Sequence, residues 1–229
     1  MGHVDEFVQF LPVESQRGWG VVVADPEAGL RILRHAQKAG HGHVPMYSRR
    51  TDIPKNVVTG EKCIETTIRC LSKPAPEKTI GEYLADTTVV KTNMEASKRI
   101  AGNIDILKSH TSITDDEIDR LPTLLNNVER DELSFIGPRA DDEKLAVFAA
   151  SPGAFNSVVL TGFGTYLAPN PWGPLIEDKD VMAEVMKKFY EELGWKDKFL
   201  DNWNSHHSWG AEVHCATDTK REMNRRWWS

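Results

Sequence analysis

Polar and apolar residues alternate from His3 to Leu11, a period of two that predicts a half-buried strand beginning almost at the first residue. A polar turn over Glu14 to Gly18 follows. Trp19 to Ala24 then reads as a buried strand that closes a hairpin on the first. Asp25 and Pro26 have the chemistry of an N-cap and a first helical residue. Leu30, Ile32, Leu33 and Ala36 supply the apolar face, and Gly40 supplies the stop. Glu61 to Leu71 is compatible with a helix ended by Pro74 and Pro76. Helical residues dominate from Thr79 to about His110, with Ile80, Leu84, Ile100, Ile104 and Leu107 as the apolar positions, before an acidic turn over Thr114 to Asp119. Lys144 to Ala149 and Ser157 to Thr161 read as two strands of a second hairpin, separated by Pro152 and Gly153. A helix is expected from about Lys179 to Leu193. Asp178 would cap it, Val181, Met182, Val185, Phe189 and Leu193 would form its inner face, and Gly194 would end it. Lys198 to Leu200 and Glu212 to Cys215 complete the pattern as short strands. Strands in pairs with an intervening helix predict an α/β chain. No Ser/Gly-rich linker or low-complexity tract marks a second domain.

Composition narrows the function classes. Among 229 residues, 28 Lys and Arg stand against 34 Asp and Glu, a formal charge of −6. That balance argues against a nucleic-acid partner, which needs a basic footprint, and favours a cationic one. No apolar run approaches the roughly 20 residues needed to cross a bilayer, so no membrane partner is expected and the location expected is cytoplasmic. Three cysteines, Cys63, Cys70 and Cys215, are too few and too scattered for a disulfide framework or a zinc ribbon.

The conspicuous chemistry lies near the two ends. His3 and Asp5, two apart in the expected strand, share one face and can look into one cavity as an acid/base and an anchor. A lone cysteine is most often a small buried hydrophobe, but Cys215 follows the Gly-containing turn Trp209 to Ala211 and is reachable by a substrate there. In a strand, His214 points away from the face that carries Cys215. His3 is therefore the better partner for the thiol, although it stands at the far end of the chain. Cys63 and Cys70, seven apart, read as packing on one helix face. His41-Gly42-His43 and His206-His207 lack the three or four convergent ligands of a metal site, and Arg225 to Trp228 is too small a basic patch for nucleic acid.

Gly2 to Phe7 (GHVDEF), Ala39 to Gly42, Pro171 to Pro174 (PWGP), Glu212 to Thr217 (EVHCAT) and Arg226 to Trp228 occur in an order that resembles the C-terminal catalytic domain of the protein-arginine deiminases. The resemblance spans the whole chain. It implies a pentein-type α/β-propeller of ββαβ modules, incomplete here, with residues 1–229 the C-terminal part of a larger catalytic domain and no second domain. It also implies hydrolysis of peptidyl arginine to peptidyl citrulline and ammonia through a cysteine thiouronium intermediate. Cys215 matches the nucleophile, His3 the acid/base, and Asp5 a carboxylate that binds the guanidinium. An arginine-containing protein or peptide is the implied substrate and calcium the implied cofactor.

The departures from the family pattern are equally specific. A second guanidinium-binding Asp and most calcium ligands lie upstream of GHVDEF in known members and have no counterpart in this sequence. An Arg that precedes EVHC in some members is replaced within Ser208 to Gly210. Two other readings follow: a non-catalytic remnant of the domain serving as a binding module, and a small-guanidine deiminase of the agmatine or arginine type.

Overall fold

The computed structural model describes residues 4–48, 77–129, 145–203, 205–207 and 211–218. His3, Cys63, Cys70, the helix expected over Glu61 to Leu71 and the closing Arg225 to Trp228 lie outside the described residues.

The first strand is shorter than the alternation predicts. Val4–Glu6 form a 3₁₀ turn, closed by the Phe7 N–H on Val4 O at 3.1 Å, and β1 spans Val8–Pro12. It pairs antiparallel with β2 (Trp19–Asp25), Val8 opposite Val23 and Pro12 opposite Trp19, which makes the expected hairpin. Gly20 to Ala24 are all buried, because β2 is the middle strand with both faces covered. Helix α1 (Pro26–Lys38) starts as its sequence predicts: Asp25 Oδ1 accepts the Ala28 N–H at 2.8 Å, and Leu30, Leu33 and Ala36 turn inward. Gly40, just past its end, takes the left-handed φ of 96°.

The helical stretch expected from Thr79 to about His110 forms two helices. α2 (Ile80–Ala85) opens in a capping box between Thr79 and Glu82. α3 (Thr87–Thr111) is capped by Asp86, whose carboxylate accepts from the Thr88 and Val89 N–H groups. The break falls at Asp86 because its extended backbone and its capping carboxylate both favour a new start over continuation. Among the described residues no helix is long and apolar enough to cross a membrane. After the acidic turn Asp115–Glu117, β3 (Ile118–Pro122) runs parallel to β2 with Ile118 opposite Val21.

The second expected hairpin is corrected. β5 (Leu145–Ala149) pairs with β4 (Leu125–Glu129), while β6 (Val158–Leu160) pairs antiparallel with β7 (Thr165–Pro169) in another sheet. The Ala150 N–H binds Leu124 O at 2.8 Å, which holds the end of β5 to the β4 side and leaves residues 150–157 free to turn. β8 (Leu175–Ile176) and β9 (Lys179–Asp180) form a tight hairpin through Glu177 and Asp178, both at positive φ. Asp178 is thus spent in the turn. Asp180 caps α4 (Val181–Glu192) instead, accepting from the Met182 and Ala183 N–H groups at 3.0 Å. β10 (Lys196–Leu200) then lies parallel to β7.

Two units of the same grammar result: a hairpin whose second strand becomes central, a helical crossover, and a third strand parallel to the central one. Their strand orders are β1-β2-β3 and β6-β7-β10. Leu11 and Val21 to Ala24 of the first unit share one apolar cluster with Phe155 and with Tyr166, Ala168, Met186 and Tyr190 of the second. The chain is a mixed α/β structure with small sheets.

Candidate functional site

Residues 150–157, between the two units, carry the centre of the site. Phe155 is sunk in the shared core, and Tyr166 Oη lies 2.6 Å from Ala154 O and 2.5 Å from Gln9 Oε1. Burial raises the Tyr166 hydroxyl above the usual phenol range, so it stays a neutral donor at this position. The hydroxyl of Ser157 returns to Ala154 O. With its flanks fixed, Asn156 is buried at 2% exposure and bonded on three sides. Its Nδ2 donates to Asp5 Oδ2 at 2.6 Å, its Oδ1 accepts the Cys215 N–H at 3.2 Å, and its carbonyl accepts the His214 N–H at 3.0 Å.

Asp5 and Cys215, both singled out from the sequence, are therefore brought together through one amide, although 151 and 59 residues separate them from Asn156. Neither stands on a strand. Asp5 belongs to the 3₁₀ turn Val4–Glu6, and Cys215 to a second one, His214–Ala216, closed by the Thr217 N–H on His214 O at 3.0 Å. The expectation that His214 turns away from the pocket fails for that reason. Successive residues of a 3₁₀ turn diverge by about 120° rather than 180°, and His214 Nδ1 comes within 3.2 Å of Asp5 Oδ2. His3 lies outside the described residues.

Asp5 and His214 look into an open cleft of about 480 Å³ whose other walls include Val4, Gln9, Phe10 and Phe155. Both known contacts of Asp5 fall on Oδ2; among the described residues Oδ1 has no partner. Cys215 is exposed. The site thus offers a carboxylate and an imidazole on a cleft of mixed polar and apolar lining, with an exposed thiol on the residue next to that imidazole, a combination suited to a planar cation on an apolar stem.

The turn that carries Cys215 is anchored from beneath. Val213 is buried, and so is Glu212, whose Oε1 accepts from the Gly153 N–H at 3.1 Å and from His207 Nδ1 at 2.7 Å. Its Oε2 accepts from Asn202 Nδ2 at 2.5 Å. His207 is accordingly a partner of Glu212, and its neighbour His206 bonds to Ser205 Oγ. His41 and His43 sit in a short turn in which His43 Nδ1 meets Gly40 O. Among the described residues no group of three or more His, Cys, Asp and Glu side chains converges to hold a metal ion. The PWGP segment is architectural as well. The Gly173 N–H binds Asp180 Oδ2 at 2.8 Å, so close that a Cβ on Gly173 would lie 2.6 Å from the other oxygen of that carboxylate. Asn156, Gln9 and Asn202 were not singled out by the sequence.

The family model for protein-arginine deiminase matches residues 1–229, the whole chain, and the chain belongs to that family. It is 27% identical over 231 residues to protein-arginine deiminase type-1 of Homo sapiens and 26% identical over 230 residues to type-3 of Rattus norvegicus. To type-4 of Homo sapiens it is 23% identical over 232 residues. Each match covers all of this chain and 29% of the relative, so the chain spans less than a third of the length of these curated relatives.

Proposed function

We propose that the chain carries the thiol half of a protein-arginine deiminase site and that residues 1–229 are the C-terminal part of a catalytic domain built as a pentein-type propeller. The observation that carries the functional reading is the Asp5–Asn156–Cys215 connection, whose Asp5 end lines the cleft; the two ββαβ units support the architectural one.

In this reading Asp5 receives guanidinium N–H groups of a peptidyl arginine, presenting a fixed carboxylate to a fork of donors. The Cys215 thiolate, favoured by a protonated imidazole nearby, attacks the guanidinium carbon and forms a C–S bond. His3, as the acid, gives its proton to the departing nitrogen, and the C–N bond breaks to release ammonia. The remaining thiouronium is attacked by a water that His3 deprotonates, the C–S bond breaks, and thiolate and peptidyl citrulline are regenerated and released. Exposure of Cys215 and the openness of the cleft favour an arginine carried on a peptide over free arginine or agmatine, which call for a closed pocket. Calcium, implied by the family resemblance, finds no fitting ligand cluster among the described residues, and no step is routed through it. Three cysteines without a disulfide framework suit a reducing, cytoplasmic setting.

The test is competitive labelling with a haloacetamidine, whose cationic amidine imitates guanidinium, read out by peptide mass mapping. Cys215 is expected to be alkylated ahead of Cys63 and Cys70, and Cys215→Ser to abolish both the label and any citrulline formed on a blocked arginine peptide. Preferential labelling of Cys63 or Cys70 overturns the assignment. Faster citrulline formation from free arginine than from the peptide would favour the small-guanidine reading.

A further inference from the structure

We propose that Asn156 is the positioning residue of this site, a buried amide that fixes the guanidinium-binding carboxylate of Asp5 and the backbone of Cys215 relative to each other. The inference rests on the deiminase reading above and adds a role to a side chain that the reading does not use.

The amide is the one common side-chain group that can do both jobs in the space available. It has a donor on one side for the carboxylate of Asp5, at 2.6 Å, and an acceptor on the other for the Cys215 N–H, at 3.2 Å. Turned over, it would set its oxygen against the carboxylate and its N–H₂ against the Cys215 N–H, two repulsive contacts, so its orientation is fixed by its neighbours. At 2% exposure it meets no competing water, and a hydrogen bond to an ionised carboxylate is among the stronger kinds. Its carbonyl also holds the His214 N–H, so the turn at 214–216 is gripped at two consecutive residues.

The consequence is directional. With Asn156 and His214 both on Oδ2, Asp5 keeps Oδ1 as the oxygen without a partner among the described residues, available to a guanidinium. Without the Asn156 donor, the carboxylate is free to rotate about its side-chain torsions and the thiol is no longer referenced to it. Loss of orientation of this kind weakens the reaction with a cationic reagent far more than with a neutral one, because only the cation needs the carboxylate and the thiol at the same time.

The experiment compares second-order alkylation rates of Cys215 in the full chain by a haloacetamidine and by neutral iodoacetamide, in the unaltered protein, Asn156→Leu, Asn156→Ala, Asp5→Asn and the double variant Asp5→Asn/Asn156→Ala. The amidine-to-iodoacetamide ratio is expected to fall about tenfold or more in both Asn156 variants, the loss of one hydrogen bond to a charged group. Asn156→Leu keeps nearly the same volume, removes the donor to Asp5 and adds no charge, and it carries the test by itself if Asn156→Ala does not fold. In the Asp5→Asn background, Asn156→Ala is expected to add little, since both act through one carboxylate. A role in folding alone would move both rates together and leave the ratio unchanged; that result in a folded Asn156→Leu, or full additivity in the double variant, overturns the proposal. A ratio near unity in the unaltered protein overturns the deiminase reading itself, and the proposal with it.

Discussion

Asn93, in the second turn of α3, is fully buried, and its amide makes both hydrogen bonds that one backbone residue can offer: Nδ2 donates to Leu125 O and Oδ1 accepts the Leu125 N–H, each at 2.9 Å. Tyr83 also donates to Leu125 O, at 2.6 Å. Asn93→Leu therefore strands the Leu125 N–H rather than the carbonyl, and an orphaned buried donor costs about 1–3 kcal/mol. A lower urea midpoint at unchanged slope is the expected outcome; an unchanged midpoint would show that water reaches the group. Asn93 and Asn156 share a property that explains why the site was only half legible. Cys215 and Asp5 stand in compact motifs, GHVDEF and EVHCAT, and can be picked out by spacing. A buried asparagine beside Phe155 in an aperiodic loop has no such pattern, and its partners are far away in sequence, so its importance emerges only once the chain has folded. His214 was misplaced for a local reason: the alternation rule presupposes a strand, and residues 214–216 are a 3₁₀ turn.

At the scale of elements, two contacts fix how the first unit closes. Arg17, in the β1–β2 turn, donates to the Thr111 and Ser112 carbonyls at the C-terminal end of α3 and pairs with Glu117 at 2.9 Å. The Arg17 guanidinium, followed by the Thr114 N–H, pulls the Glu117 carboxyl down to about 2. Its folded value lies below its unfolded one, so the unfolded chain takes up the proton first. The stabilisation is present above the ordinary carboxylate range and is lost as pH falls from about 4.5 toward 2. Melting temperature in that window should drop less steeply for Arg17→Ala than for the unaltered chain; parallel curves would dissociate the pair from acid stability. The second contact is Gly29 in α1, where an added Cβ would stand 2.1 Å from Thr123 O. Helix propensity alone makes Gly→Ala in a helix interior favourable by about 0.5–1 kcal/mol, but a backbone atom cannot yield at that distance. Gly29→Ala should lower the melting temperature, and a rise would mean that α1 can slide. α1 was readable because cap, apolar face and stop agree. β3 and β7 were not, since Asp119 and Arg120 interrupt one, and Gly162, Gly164 and Pro169 surround or end the other. Both strands are specified by the neighbour they pair with rather than by their own pattern.

Across the whole molecule the two ββαβ units share two apolar clusters, one joining the central strands and the other joining Leu30 and Leu33 of α1 to Met182 of α4, and Phe155 is the buried member of the first that also lines the cleft. It is 1% exposed and precedes Asn156 directly. Removing its ring leaves a cavity within the cluster that both central strands share, and a buried Phe→Ala change costs about 3–5 kcal/mol. If the units fold as a single cooperative body, that loss must appear equally in both. Native-state amide exchange supplies the measurement, with Val22 N–H reporting on β2 and Ala168 N–H on β7, each buried in the shared cluster. In the unaltered chain the two opening free energies should coincide, and Phe155→Ala should lower both by the same amount. A drop confined to Ala168, with Val22 unmoved, would show that the units open independently and that the bridge from Asp5 through Asn156 to Cys215 spans a boundary able to part without either unit unfolding.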